Sequence, residues 1–209
     1  MKLLTLLNGP VEENCYVLSA GDPNGGSVVI DPGSSPAQLL ASIQAANLKP
    51  SLILATHAHF DHVGAVAALA KAYGARFAMH PKDLGLLQTL PDTYAFYGMG
   101  DTTVPALDLP LSDGQWIEAA GLRLQVFHTP GHTLGGCCYY EPSSGSLFSG
   151  DTLFRRSIGR SDFEGGDART LVASIRTRLF TLPDETKVYP GHGAPTTLGE
   201  EKRENEFLA

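Results

Sequence analysis

Thr56-His57-Ala58-His59-Phe60-Asp61-His62 sets three histidines and a carboxylate within six residues, at the end of the apolar run Ser51–Ala55. An ordinary core does not tolerate that density of polar groups. Imidazole and carboxylate are the side chains that hold borderline divalent ions at neutral pH, so the cluster predicts a metal site. If Leu52–Ala55 is a strand, His57 and His59 leave its end in extended chain. Residues two apart then point the same way and reach one ion. Asp61 and His62 fall where the chain turns into a helix, offset toward a neighbouring position.

Three remote segments complete the set. His132 stands in Thr129-Pro130-Gly131-His132-Thr133, Asp151 in Ser149-Gly150-Asp151-Thr152, and His192 in Pro190-Gly191-His192-Gly193. Each follows an apolar or small-residue run and sits beside Gly or Pro, as a ligand on a strand-end loop does. The expected partition gives one ion His57, His59 and His132, and the other Asp61, His62 and His192. Asp151, with two oxygens and no carboxylate rival nearby, suits the bridge. Two ions so held, about 3.5–4 Å apart, would share a water and lower its pKa toward neutrality.

Around this core of ligands the chain reads as alternating sheet and helix. Leu3–Leu7, Tyr16–Ala20 and Ser27–Ile30 are strand-like runs divided by Asn, Gly, Pro and Asp. Ser35 and Pro36 open a helix whose Leu39, Leu40, Ile43 and Ala46 share one face. Ser51–Ala55 and Arg76–Met79 are strands, Gly64–Tyr73 is a helix, and Pro81 opens another to about Thr89. Tyr94 to Leu111 has no clear period and is expected to be a loop. Trp116–Glu118, Leu122–Phe127, Cys137–Glu141 and Ser146–Phe148 form a meander. Asp167 caps a helix carrying Leu171, Ile175 and Leu179, Lys187–Tyr189 is a last strand, and Gly199–Phe207 is a polar terminal helix. Two strand-rich halves that each end in helix predict an αββα sandwich.

The 209 residues carry 15 Lys and Arg against 22 Asp and Glu, a net charge of −7 with histidine neutral. That balance offers no electrostatic footprint for nucleic acid or an anionic membrane. No composition break marks a linker, so one domain is expected over residues 1–209. Three cysteines, two of them the adjacent Cys137 and Cys138, make a poor disulfide framework and fit a reducing cytoplasm. Leu3–Leu7 is too short for a signal sequence, and no apolar run approaches the length that crosses a bilayer.

These segments resemble the metallo-β-lactamase superfamily, whose hallmark is H-x-H-x-D-H followed by distant His, Asp and His ligands. The resemblance covers nearly the whole chain, with Asp31-Pro32-Gly33 similar to the family's early Asp motif. It implies a four-layer αββα sandwich with the metal centre at the sheet edges, and Asp31 as a residue that supports the ligands from behind. Asp151 stands where some lactam-cleaving members use Cys, which disfavours lactam hydrolysis. His59 stands where the di-iron redox flavoproteins place Glu, and no long insertion provides a nucleic-acid-processing arm.

The segment from Gly150 to Phe163 is similar to the glyoxalase II-like enzymes, the hydroxyacylglutathione hydrolases. In length the chain resembles their short form, which lacks the C-terminal helical domain that carries glutathione contacts. The implied reaction is hydrolysis of a thioester of the S-lactoylglutathione type by a hydroxide bridging two divalent ions. Zinc is the first expectation, and a sulfur-free N/O donor set also accepts iron or manganese. Asp61 would orient or deprotonate the water. Arg155 and Arg160, with Arg156 between, would meet an anionic substrate tail, and Tyr94, Phe96, Tyr97 and Met99 would line the mouth. His80 and His128 are expected to be structural. Persulfide dioxygenases, which use one iron, resemble this group closely; they and a lactone or ester hydrolase are the rival readings.

Overall fold

In the computed structural model, which describes residues 1–22 and 25–208, the chain forms a four-layer αββα sandwich. Sheet one holds six strands in sequence order: β1 (Lys2–Asn8), β2 (Glu13–Ser19), β3 (Ser27–Ile30), β4 (Pro50–Leu54), β5 (Arg76–Met79) and β6 (Leu109–Pro110). The first three run antiparallel, and β3 to β6 run parallel. The parallel crossovers are helical, as they must be: α1 (Pro36–Ala45) links β3 to β4, and α2 (Phe60–Val63) with α3 (Val66–Tyr73) links β4 to β5.

The second sheet is built on the meander β7 (Trp116–Ala119), β8 (Leu122–His128), β9 (Cys137–Glu141) and β10 (Ser146–Gly150). A crossover through the helix Ala168–Ser174 and its π turn Ile175–Leu179 then brings the strand Lys187–Pro190 parallel to β10. The short strand Thr196–Thr197 closes that edge, and the helix Leu198–Glu204 follows with a reciprocal Thr197–Glu200 capping box.

Strand alternation explains the layers. In β2, Tyr16 and Leu18 point between the sheets, while Cys15 and Val17 point out toward Leu39, Ile43 and Leu69 of the helices. Adjacent Cys137 and Cys138 divide in the same way, one between the sheets and one under Leu171 and Ile175. Both cysteines, like Cys15, are buried free thiols.

Some elements differ from expectation: β6 (Leu109–Pro110) lies inside the loop expected from Tyr94 to Leu111. Residues 90–97, partly within the expected loop, form a helix, Leu90–Tyr97, with Pro91 in its first turn and Gly98 closing it at φ +63°. The helix expected from Gly64 starts earlier, at Phe60, and breaks at Gly64 before resuming at Val66. Asp61 and His62 therefore lie on a helical turn, not ahead of it. Among the described residues no helix is long and apolar enough to cross a membrane.

Candidate metal centre

The seven residues picked out by spacing converge at one end of the two sheets. His57, His59, Asp61 and His62 follow β4; His132 follows β8, Asp151 follows β10, and His192 follows the strand Lys187–Pro190. Two contacts fix the β4 exit to the opposite sheet: Cys137 donates its backbone N–H to Thr56 O at 2.8 Å, and the Tyr139 hydroxyl donates to Ala55 O at 2.5 Å.

His57, His59 and His132 form one group. His132 Nε2 lies 3.2 Å from His57 Nε2 and 3.0 Å from His59 Nδ1. The far nitrogens set the tautomers. His132 Nδ1–H donates to Arg160 O at 2.7 Å. His57 Nδ1 lies 3.1 Å from Thr56 Oγ1, whose own proton goes to Asp31 Oδ2 at 2.7 Å. The His57 ring is thus the donor there. Both Nε2 atoms carry lone pairs and face each other with no proton between them. Two nitrogens bound tetrahedrally at about 2.0–2.1 Å to one ion would lie little more than 3 Å apart.

Asp61, His62 and His192 form the second group. His192 Nε2 is 3.1 Å from Asp61 Oδ2, and its Nδ1 faces Val11 O at 3.1 Å. His62 is fully buried, with Nδ1 3.0 Å from Asp31 Oδ2 and Nε2 3.6 Å from Asp61 Oδ2. Asp151 stands between the groups. Its Oδ2 is 3.6 Å from His132 Nε2, and its Oδ1 is 3.4 Å from His62 Nε2 and 3.9 Å from His192 Nε2. His62 Nε2 and Asp151 Oδ1 are both buried without a hydrogen-bond partner. Such atoms are costly to leave unpaired. A cation satisfies the lone pairs of both groups at once, so the donor set fits a dinuclear metal centre.

The electrostatics follow. Burial and the imidazoles around it hold His57 well below the ordinary histidine range, and burial with His132 brings His59 down to about 4. Burial also opposes charge on His62, but the carboxylates of Asp61, Asp151 and Asp31 outweigh it and raise it well above its usual value. Burial alone would raise the Asp151 and Asp61 carboxyls; the surrounding histidines, His62 foremost, pull both below their ordinary value. Neutral imidazole and ionised carboxylate are the forms a metal needs.

Asp31 accepts Thr56 N–H at 2.6 Å in addition to the Thr56 hydroxyl and His62, so it lies directly behind both groups. Arg160 is bound through both carboxylate oxygens of Asp162, at 2.9 and 3.0 Å, and its side chain is 77% exposed. Arg155 is exposed near Glu200, and Arg156 pairs with Glu204. Tyr94 is buried in the core; Phe96 and Tyr97 are exposed. Tyr16 donates its hydroxyl to Pro190 O at 2.6 Å. His80 and His128 stack on each other, with centroids 4.1 Å apart and planes 5° from parallel.

Three buried polar residues near the centre have no distinct signal in the sequence. Glu13, fully buried, has neither carboxylate oxygen hydrogen-bonded and lies close to Asp31 and His62. Asn14 and Asp83 contact the ligand loops. Asn14 reads as a turn residue and Asp83 as a helix-start acid, and only the tertiary fold brings them to the site.

Residues 8–192 match the family model of the metallo-β-lactamase superfamily. The hydroxyacylglutathione hydrolase GloC of Haemophilus influenzae is 36% identical over 204 residues, covering 94% of this chain and 93% of that protein. The BLEG-1 B3 metallo-β-lactamase superposes with a TM-score of 0.91 at 38% identity, covering 99% of both chains. TTHA1623, in a di-iron-bound form, gives a TM-score of 0.87 at 45% identity over 98% of this chain and 100% of that one. ETHE1 from Myxococcus xanthus gives 0.79 at 28% identity over 99% and 84%. This chain belongs to the metallo-β-lactamase superfamily, as a hydrolase-like enzyme with a His/Asp cluster compatible with a dinuclear metal site.

Proposed function

We propose that the chain hydrolyses thioesters of the hydroxyacylglutathione type. His57, His59 and His132 would hold one ion, Asp61, His62 and His192 the other, with Asp151 within reach of both groups. The observation that carries this reading is Asp151, whose two oxygens face the imidazoles of opposite groups. The thioester class is supported by the 36% identity with GloC over nearly the full length of both chains. Zinc is the proposed ion, with iron and manganese accepted by the same donors. Three free, buried cysteines fit the proposed cytoplasmic location.

When bound, the ions supply Lewis-acid polarisation of the substrate carbonyl and acidify a water toward neutrality. The chain's own residues do the rest. Asp61 Oδ2 lies beside His192 Nε2 as a fellow donor to the second ion, and Oδ1 would face the attacking water, orienting it and taking its proton. Val11 O, Arg160 O and Asp31 hold the far nitrogens of His192, His132 and His62, so each ring keeps its lone pair on the centre. Thiolate is a good leaving group and needs no dedicated acid. Arg155 and Arg160 meet the carboxylate end of the substrate, Arg160 by exchanging Asp162 for it.

The test is thiol release from S-D-lactoylglutathione by protein loaded in turn with zinc, iron or manganese, with Asp61→Ala as control. Release that the substitution removes is the expected result; no release with any metal overturns the thioester reading. Oxygen uptake with glutathione persulfide separates the dioxygenase reading, and nitrocefin cleavage tests the lactam chemistry named for BLEG-1.

A further inference from the structure

Two polar side chains that no ligand motif contains grip the loops on which the ligands sit, and they grip different loops. Asp83, only 2% exposed, follows β5. Its Oδ2 accepts Ala58 N–H at 3.2 Å and the Thr133 hydroxyl at 2.8 Å, and its Oδ1 accepts Gly135 N–H at 2.5 Å. Ala58 lies between His57 and His59, and Thr133 follows His132. One carboxylate therefore ties together both loops that carry the three-histidine group. The fit is close: a Cβ on Gly135 would come within 2.7 Å of the Asp83 carboxylate.

Asn14 does the equivalent for the other group. Its Nδ2 donates to Pro190 O and to Gly193 O, each at 3.0 Å, on either side of His192. Its backbone N–H donates to Gly191 O at 2.7 Å. Three hydrogen bonds from one residue of sheet one thus bracket a ligand carried by sheet two. Asn14 touches neither the Ala58 nor the Thr133 loop through any of these bonds, and Asp83 does not touch Pro190–Gly193.

We infer that Asp83 and Asn14 are positioning residues that hold the two ion positions separately, Asp83 the His57–His59–His132 position and Asn14 the Asp61–His62–His192 position. This deepens the ligand assignment above and rests on it. The consequence is that either position can be weakened while the other stays intact, so that the number of ions bound is set partly by residues that touch no ion. Partners behind metal ligands commonly contribute roughly 10–100-fold in affinity.

The experiment is a zinc titration by calorimetry in two single-position backgrounds, His192→Ala and His59→Ala. In the His192→Ala protein, adding Asp83→Asn should weaken the remaining ion roughly 10–100-fold, while adding Asn14→Asp should leave it within about 2-fold. In the His59→Ala protein the pattern should reverse. Each background is the folding control for the other, because a substitution that leaves the remaining ion undisturbed in one has left the fold intact. If Asp83→Asn weakens the ion equally in both backgrounds, or Asn14→Asp does, that residue is a general support and the inference is overturned. It is overturned too if neither substitution changes either affinity. Unsubstituted protein that takes up fewer than two ions overturns the ligand assignment itself, a failure visible before any clamp variant is made.

Discussion

Asp31 Oδ2 lies 3.0 Å from His62 Nδ1, and the Asp31 backbone holds this aim at a φ of +51°. A left-handed backbone at a residue other than glycine is uncommon and costs energy unless its surroundings enforce it. Here Thr56 enforces it by donating both its N–H and its hydroxyl to the same carboxylate.

Asp31→Asn should separate aim from backbone, since asparagine adopts the left-handed region readily. The amide has one acceptor oxygen where the carboxylate has two, so an NH2 group faces either the Thr56 N–H at the Oδ1 position or His62 Nδ1–H and the Thr56 hydroxyl at the Oδ2 position. Zinc affinity, measured by competition with a chelator, should fall roughly 10–100-fold with little change in the circular dichroism spectrum. Unchanged affinity would remove Asp31 from the support of the centre.

Gly191→Ala tests the closeness of the His192 loop. A Cβ there would lie 2.4 Å from Asp151 Oδ1 and 2.6 Å from His62 Cε1, both in the metal cluster. Separations that short force atoms apart, and the atoms that give way are the ligands. Metal content after purification should drop by at least one ion per chain, and the proposed thioester hydrolysis should be lost. Full metal content in the variant would show that the loop relaxes instead.

Removing bound metal should lower stability, because ions that bind the folded chain would satisfy His62 Nε2 and Asp151 Oδ1, both buried without a hydrogen-bond partner. A ligand at 100 times its Kd contributes about 2.7 kcal/mol, and a chain of this size shifts by about 2–4 °C per kcal/mol. Exhaustive chelation should therefore reduce the Tm by roughly 5–10 °C per ion lost, with recovery on adding zinc. A Tm indifferent to chelation, in protein shown to have lost its metal, would contradict this.

The candidate ligands are legible in the sequence because each lies in a short local pattern: the clustered His57–His62 segment, and a glycine before His132, Asp151 and His192. The two sheets are legible because apolar runs of four to seven residues recur with turn residues between them. The helix Leu90–Tyr97 was hidden by its brevity and aromatic content, although Pro91 and Gly98 marked its ends. Asn14 and Asp83 were not legible for a different reason. Asn14 acts on a carbonyl 176 residues away and Asp83 on an N–H 52 residues away, and nothing local encodes such a pairing. The arginines after Asp151 were legible as charge, and the pairing of Arg160 with Asp162 two residues on is local, but that of Arg156 with Glu204 depends on how the segment folds against the C-terminal helix.

Acid should destabilise the protein through His80 as well as through the metal centre. Burial, the stacked His128 ring and Lys82 bring His80 down to about 4, against a weaker upward pull from Asp113. Its Nδ1 also accepts Lys82 N–H at 3.3 Å at the start of the turn Pro81–Asp83, which a protonated ring cannot do. The unfolded chain takes up this proton near pH 6.5, whereas the folded chain resists it until about pH 4. Between those values the unfolded state binds more protons, so stability falls as pH falls, and below about 4 this contribution levels off. His80→Asn keeps an acceptor for Lys82 and removes the titration. Urea denaturation from pH 7.5 down to 4.5 should show the variant less stable at the upper end, where it lacks the stacked ring. The gap should shrink or reverse toward the lower end. Metal-ligand protonation affects both proteins alike and cancels in the difference, so a gap that stays constant across the range would clear His80 of any part in acid lability.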